Sequence, residues 1–253
     1  MKIRALLLSL ALLTSCAHAG EVTADVVESS HGVTSLVVVL IGEIVPGDLD
    51  KIIKAIEGIP IGRRRSDEFR VGLLSNGGDL EEAMNIGRFI RRSEGVTSVL
   101  PIGGCSSACV FILAGGVVRY PLGKVGIHRP YFNSTPDTGV GEKLREILMI
   151  SRAYFEEMNI PSSLADAMFS IPPEANHFLS RAELDFYRLN QSDFSYQERQ
   201  DLKMADEFGV SRAEYMQFKI ELERECGKFR LDPVSMQSCV NQVDSRWFKK
   251  LQK

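Results

Sequence analysis

Residues 103 to 116 read GGCSSACVFILAGG, with two serines held between cysteines and followed by an unbroken apolar run. Acyl transfer by serine needs a hydroxyl exposed at a helix start, a histidine within reach, and two backbone N–H groups facing the developing oxyanion. Ser107 would stand at the N-terminal end of a short buried helix running to Leu113, where unpaired N–H groups and the helix dipole favour negative charge. Ala108 would supply one N–H. Gly77 and Gly78 follow a strand-like segment and, lacking a Cβ, let a second backbone N–H come close. His128 ends another strand-like segment, just before Arg129 and Pro130. Taken singly, such a serine is a cap, a Gly-Gly pair is a turn and a lone histidine is structural. Their order along the chain is what points to a nucleophilic site.

These residues need a scaffold. Residues 35–41, SLVVVLI, predict a strand buried on both faces of a mainly parallel sheet. After Pro46 and Gly47, Asp48 is the expected cap of a helix that carries Leu49, Ile52, Ile53 and Ile56 on one face. A second strand is predicted over 69–74, ending in SNGG. The helix that follows, over 79–92, places Leu80, Ala83, Met84, Gly87 and Ile90 at helical spacing. A third strand over 97–102 leads into the serine segment, and further strands fit 117–120 and 124–128. This alternation implies an α/β fold of βαβ units with right-handed crossovers. A long amphipathic helix is expected over 141–158 and a smaller one after Pro161. Ser180 with Glu183, and Ser211 with Glu214, form capping boxes. From residue 190 onward the chain turns charged and helical, so the expected organisation is a leader over 1–19, an α/β domain over 33–189 and a helical extension over 190–253.

The 253 residues are 44% hydrophobic, with 30 Lys and Arg against 33 Asp and Glu. That composition fits one α/β core with an appendage and leaves no basic footprint for nucleic acid. The opening MKIRALLLSLALLTSCAHAG has a basic start, an apolar stretch too short to span a bilayer, and small residues behind it, as a secretory signal does. Ala17-His18-Ala19 fits the A-x-A processing pattern. Leu13 to Cys16 fits a lipobox instead, and a lipid on Cys16 would be the membrane attachment. Cleavage after Ala19 is preferred, which predicts a periplasmic or secreted protein whose net charge moves from −3 to −5.

An oxidising compartment favours disulfides, and Cys105, Cys109, Cys226 and Cys239 make an even set once Cys16 is set aside. Cys226 and Cys239 are expected to pair across a short stretch containing proline. If Cys105 and Cys109 shared one helical turn, their Cα atoms would lie about 6 Å apart, within disulfide range. Two buried free thiols are the alternative. Neither pair has C-x₂-C spacing or a nearby histidine, so no metal is expected, and no cofactor.

Four segments, SNGGDLEEAMNIGRFI, CSSACVFILAGG, VGIHRP and HFLSRAEL, together resemble the ClpP/crotonase superfamily, and within it the serine peptidase subunit of the Clp protease. The resemblance runs over about residues 36–189 and keeps the spacing from Gly78 to Ser107 without a gap. It implies a ββα superhelix, with Ser107 as nucleophile, His128 as general base, and the Gly78 and Ala108 N–H groups as oxyanion donors. It also implies a peptide substrate added as a strand beside Gly77 and Gly78. Ser106 would be a neighbour. The family's acid position is Asn176 here; an amide oxygen can hold a histidine tautomer but lacks the charge that steadies an imidazolium. Slower turnover is the expected consequence. Glu174 and Asp185 are acids near that position without matching it, and His177 reads as a packing or surface residue. The family assembles into rings through the helix matching 141–158, where Ile147, Leu148, Ile150 and Tyr154 form an apolar face, so a homo-oligomer is expected. Clp subunits work beside an ATP-driven unfoldase. An exported relative would lack ATP and act on extended or unfolded peptides.

Competing readings remain open at this level. In one, the chain is a non-catalytic scaffold in which Ser107 caps a helix, the reading that Asn176 favours. An acyl-CoA enzyme would use the same paired N–H groups, but CoA is cytosolic. A Ser/Lys dyad would need a lysine downstream, and none lies between Lys143 and Lys203.

Overall fold

The computed structural model describes residues 20–29, 32–131, 140–230 and 232–251; the leader, with Cys16 and the A-x-A pattern, lies outside them. The chain divides into two units, Met1–Gln191 and Ser192–Lys253. No helix among the described residues is long and apolar enough to cross a membrane.

Parallel pairing organises the first unit, an α/β arrangement. Strands β2 (Thr34–Ile41), β3 (Glu68–Leu74), β4 (Val96–Val99) and β6 (Val118–Pro121) lie parallel, and β1 (Glu21–Glu28) adds antiparallel to the free edge of β2. Helix α1 (Asp48–Gly58) connects β2 to β3, and α2 (Leu80–Arg92) connects β3 to β4. A smaller sheet has the order β5 (Gly104–Ser106), β7 (Lys124–Ile127), β8 (His177–Phe178). Between β5 and β6 runs α3 (Cys109–Gly115), with all seven residues buried. A helix apolar on every side belongs at the centre of a core. Glycine makes its position possible: a Cβ on Gly115 would lie 2.4 Å from the Gly87 carbonyl oxygen of α2.

Helix α4 (Val140–Glu157) packs on α3. Its Tyr154 and Phe155 are buried, and the Phe155 ring stacks on Phe111 at 4.6 Å. The Tyr154 hydroxyl donates to the Phe111 carbonyl at 2.7 Å. Burial raises the Tyr154 pKa, which keeps that phenol a donor. Along the chain follow α5 (Ser163–Ser170) and α6 (Arg181–Phe186), the latter opened by the Ser180–Glu183 capping box. Glu183 also meets His177 at 2.7 Å. Hydrogen bonds from the Ser180 hydroxyl and N–H, then from His177, lower the Glu183 pKa to about 2.

The second unit holds α7 (Phe194–Glu207), α8 (Arg212–Cys226) and α9 (Pro233–Leu251). Asp193 caps α7, and the Ser211–Glu214 capping box opens α8. Phe208, Tyr215, Phe218 and Trp247 cluster by ring contacts, with Phe218 and Trp247 at 5.2 Å. The Cys226–Cys239 disulfide fastens the end of α8 to α9.

Three local expectations change. Asp48 is the first residue of α1 rather than its cap; Gly47, at φ 92°, holds the cap position. The Asp48 carboxylate turns back to accept from the Val45 N–H at 2.9 Å. Cys105 and Cys109 do not share a helical turn, because residues 104–106 form β5, a strand too short to leave a periodic signature. The apolar face read on α4 divides: Tyr154 is buried, Ile147 and Leu148 are half-buried, and Ile150 is exposed.

Arg119 on β6 is the largest fully buried side chain of the first unit and ties together the segments at the C-terminal ends of α3, α4 and α6. Its guanidinium donates to the carbonyls of Ala114 at 3.1 Å, Met158 at 2.9 Å and Arg188 at 3.1 Å. Lysine cannot reproduce that fork. We expect Arg119→Lys to lower unfolding free energy by about 3 kcal/mol, read as a lower urea midpoint at unchanged slope.

Candidate active site

Ser107 occupies the turn between β5 and α3, and its φ is +55°. A non-glycine residue pays for that conformation, and such strain gathers at functional turns. Three constraints hold it. The Ser107 N–H donates to the Gly126 carbonyl of β7 at 3.0 Å, and the Ser107 carbonyl accepts from the Val110 N–H at 3.0 Å. The Cys105–Cys109 disulfide closes over residues 106–108, joining the end of β5 to the start of α3 across a Cα separation of 5.2 Å. Behind the turn, a Cβ on Gly77 would lie 2.7 Å from the Ser107 Cβ. Only glycine fits there, and the Gly77 φ of 108° requires it as well.

The two serines part company at this turn. Ser106 is buried, and its hydroxyl accepts from Asn176 Nδ2 at 3.1 Å. Ser107 is half-buried and lines an open cleft of about 920 Å³ together with Gly77, Gly78, Ala108 and His128. Apolar walls come from Phe111, Ile147, Met168 and Phe169. A cleft of this size and character suits an extended peptide side chain or a small acyl group.

Backbone direction decides what the glycines offer. Ile44 bridges Gly78 in parallel, with the Ile44 N–H donating to Gly77 O at 2.9 Å and Ile44 O accepting from the Asp79 N–H at 2.8 Å. In parallel pairing those bonds use the groups flanking Gly78, so the N–H and C=O of Gly78 itself point the other way. Contact with Ile44 is tight: a Cβ on Gly78 would fall 2.1 Å from Ile44 O. Ala108 N lies 3.1 Å from where a Gly77 Cβ would be, so the glycine segment abuts the start of α3.

His128 follows β7 directly, and its ring faces Tyr131 edge-on at 5.7 Å. Nδ1 lies 2.9 Å from the Arg129 carbonyl oxygen. A carbonyl only accepts, so Nδ1 carries a proton, and in the neutral ring Nε2 then holds the lone pair. Arg129 is itself anchored, its N–H donating to Ile171 O at 3.0 Å. Among the described residues no hydrogen bond joins Ser107 to His128.

At the third position, Asn176 Nδ2 donates to the Ser106 hydroxyl, and the side chain packs over Gly126, where a Cβ would be 2.3 Å from Asn176 Oδ1. Continued by one residue, the antiparallel register that pairs Gly126 with Phe178 and Ile127 with His177 sets the Asn176 backbone beside His128, and the Asn176 side chain turns from there to Ser106. Glu174 is exposed, and Asp185 accepts from Asn190 at 2.6 Å. The partner of His128 is thus a backbone carbonyl, which no pattern of side chains reveals. One hint is present: Pro130 restricts Arg129 to extended conformations and so limits where its carbonyl can point. Among the described residues, no three of His, Cys, Asp and Glu come together as a metal site.

Because Ser107 sits in the left-handed region, removing its side chain in two ways should give two stabilities. Ser107→Gly should unfold at a higher temperature than Ser107→Ala, by the equivalent of roughly 1 kcal/mol. Differential scanning calorimetry of the two oxidised variants checks it, and equal midpoints would remove strain from the description of this turn.

No protein-family model and no curated protein matches the chain. Among solved structures, a serine-to-alanine mutant of a membrane-bound stomatin-specific protease is similar over 66% of this chain and 82% of that one, with 15% sequence identity and a TM-score of 0.45.

Proposed function

We propose that the chain is an exported serine peptidase of the ClpP/crotonase-like fold, cleaving extended or unfolded peptides without an ATPase partner. The observation that carries this reading is that Ser107, of the two adjacent serines, holds the left-handed strand-to-helix turn and opens into the cleft that His128 and Gly78 also line. Ser107 Oγ attacks the scissile carbonyl while His128 Nε2 takes its proton. The Gly78 and Ala108 N–H groups stabilise the oxyanion, and His128 then passes the proton to the leaving amine. The Arg129 carbonyl holds the tautomer. It carries no full charge to steady an imidazolium, so turnover is slower than with a carboxylate. Substrate lies as an added strand beside Gly77 and Gly78, with an apolar side chain against Phe111, Met168 and Phe169.

Both disulfides fit an oxidising compartment. A homo-oligomer is part of the proposal, through the exposed side of α4 that carries Met149 and Ile150. A second reading, a non-catalytic peptide-binding scaffold, is favoured by the engagement of Asn176 with Ser106.

Fluorophosphonate labelling of the oxidised protein separates the two. The expected outcome is labelling of wild type, none of Ser107→Ala, a loss of at least ~100-fold for His128→Ala, and less than a threefold change for Asn176→Ala. Wild type that folds and does not label turns the assignment to the scaffold. A collapse of labelling in Asn176→Ala would return that residue to the mechanism.

A further inference from the structure

The first described residue sits against a buried carboxylate. A Cβ on Gly20 would lie 3.0 Å from Asp48 Oδ2 and 2.9 Å from the Glu43 carbonyl oxygen. Standard bond geometry then keeps the Gly20 nitrogen within about 5.5 Å of that carboxylate. Asp48 is fully buried; its carboxylate accepts from the Val45 N–H at 2.9 Å and from the Lys51 ammonium at 2.7 Å. Lys51 also reaches the Gly20 carbonyl, at 3.5 Å. The Glu43 carbonyl and the Asp48 carboxylate therefore both face Gly20; Lys51 pairs with Asp48 Oδ1, and Oδ2 is the oxygen turned to Gly20. Gly20 is also the residue that follows Ala17-His18-Ala19.

We propose that hydrolysis of the Ala19–Gly20 bond by an export-linked peptidase is a maturation step that completes this site. One water is consumed, the carboxylate leaves on Ala19, and the new ammonium of Gly20 pairs with Asp48. Glycine is required because no side chain fits between Asp48 and Glu43. The pair braces the loop over residues 42–45. Asp48 holds the Val45 N–H, Ile44 exchanges hydrogen bonds with Gly77 and Asp79, and the Gly42 N–H donates to Leu74 O at 2.9 Å. Removal of the leader is thereby coupled to the position of Gly78. That last link rests on the oxyanion role proposed for Gly78, whereas the ammonium–carboxylate pair does not.

Two chains test it, one beginning at Gly20 and one at Ala19, each released from a cleavable N-terminal fusion and oxidised. The Gly20 amine should react with an acylating reagent at least ~10-fold more slowly in the native than in the denatured protein. The Gly20 chain should melt at least ~4 °C above the Ala19 chain, and Asp48→Asn should abolish that difference. Should Asp48→Asn not fold, the amine protection and the two wild-type melting points decide alone. Ser107 labelling should be several-fold faster in the Gly20 chain. Intact mass of protein exported from its own leader should begin at Gly20; a lipid-modified Cys16 start overturns the proposal, as do an unprotected amine or equal melting points. If Ser107 labels in neither chain the peptidase reading fails, while mass, amine protection and melting still settle the pairing.

Discussion

Ser107 can hold a positive φ only because the chain on both sides of it is pinned, and the geometry of the cleft follows from that pinning. On one side β5 pairs with β7, and on the other α3 is buried along its whole length. The Cys105–Cys109 bridge closes the three residues between them. A single unpinned end would let the turn relax to ordinary φ, turning the Ser107 side chain away from the cleft. The buried position of Ser106 and the open position of Ser107 are two results of one backbone constraint.

Glycines extend the same logic outward. Gly77 lets one strand end press against the back of the serine turn, Gly78 lets Ile44 press against the strand end, and Gly126 leaves room for Asn176 and Ser106. Each close approach places one loop against the next, so the surroundings of Ser107 form a stack of backbone layers. A chain of contacts of this kind transmits position well because little side-chain freedom lies within it. It also explains why the loop over 42–45, distant from Ser107 in sequence, bears on the cleft through Ile44.

The core supports the site from below. With α3 apolar on all sides, the elements around it must supply both packing and the few polar ties a buried helix needs. Tyr154 satisfies the Phe111 carbonyl, and Arg119 takes those of Ala114, Met158 and Arg188. Buried polar groups so placed raise the cost of any alternative packing, since each would leave a carbonyl unpaired.

Much of this was legible in the sequence where the signal is local and periodic. The run 35–41 gave its strand, the spacing from Leu80 to Ile90 gave α2, and Ser180 and Ser211 marked the starts of α6 and α8 through capping boxes, because such elements are set by neighbours within a few residues. Ser107, His128 and the Gly77–Gly78 pair could be singled out as one constellation from residue type and order. Tertiary structure decided what lies between distant segments. The three-residue strand β5, which separates Cys105 from Cys109, is held by pairing with β7 on one side and by the bridge to Ser75 on the other. The Asn176 side chain turns to Ser106, and His128 meets the carbonyl of Arg129. Asp48 gave up a cap for a buried contact near Gly20. Periodicity and capping act along the chain, whereas the partner of a side chain is chosen by which backbone arrives beside it.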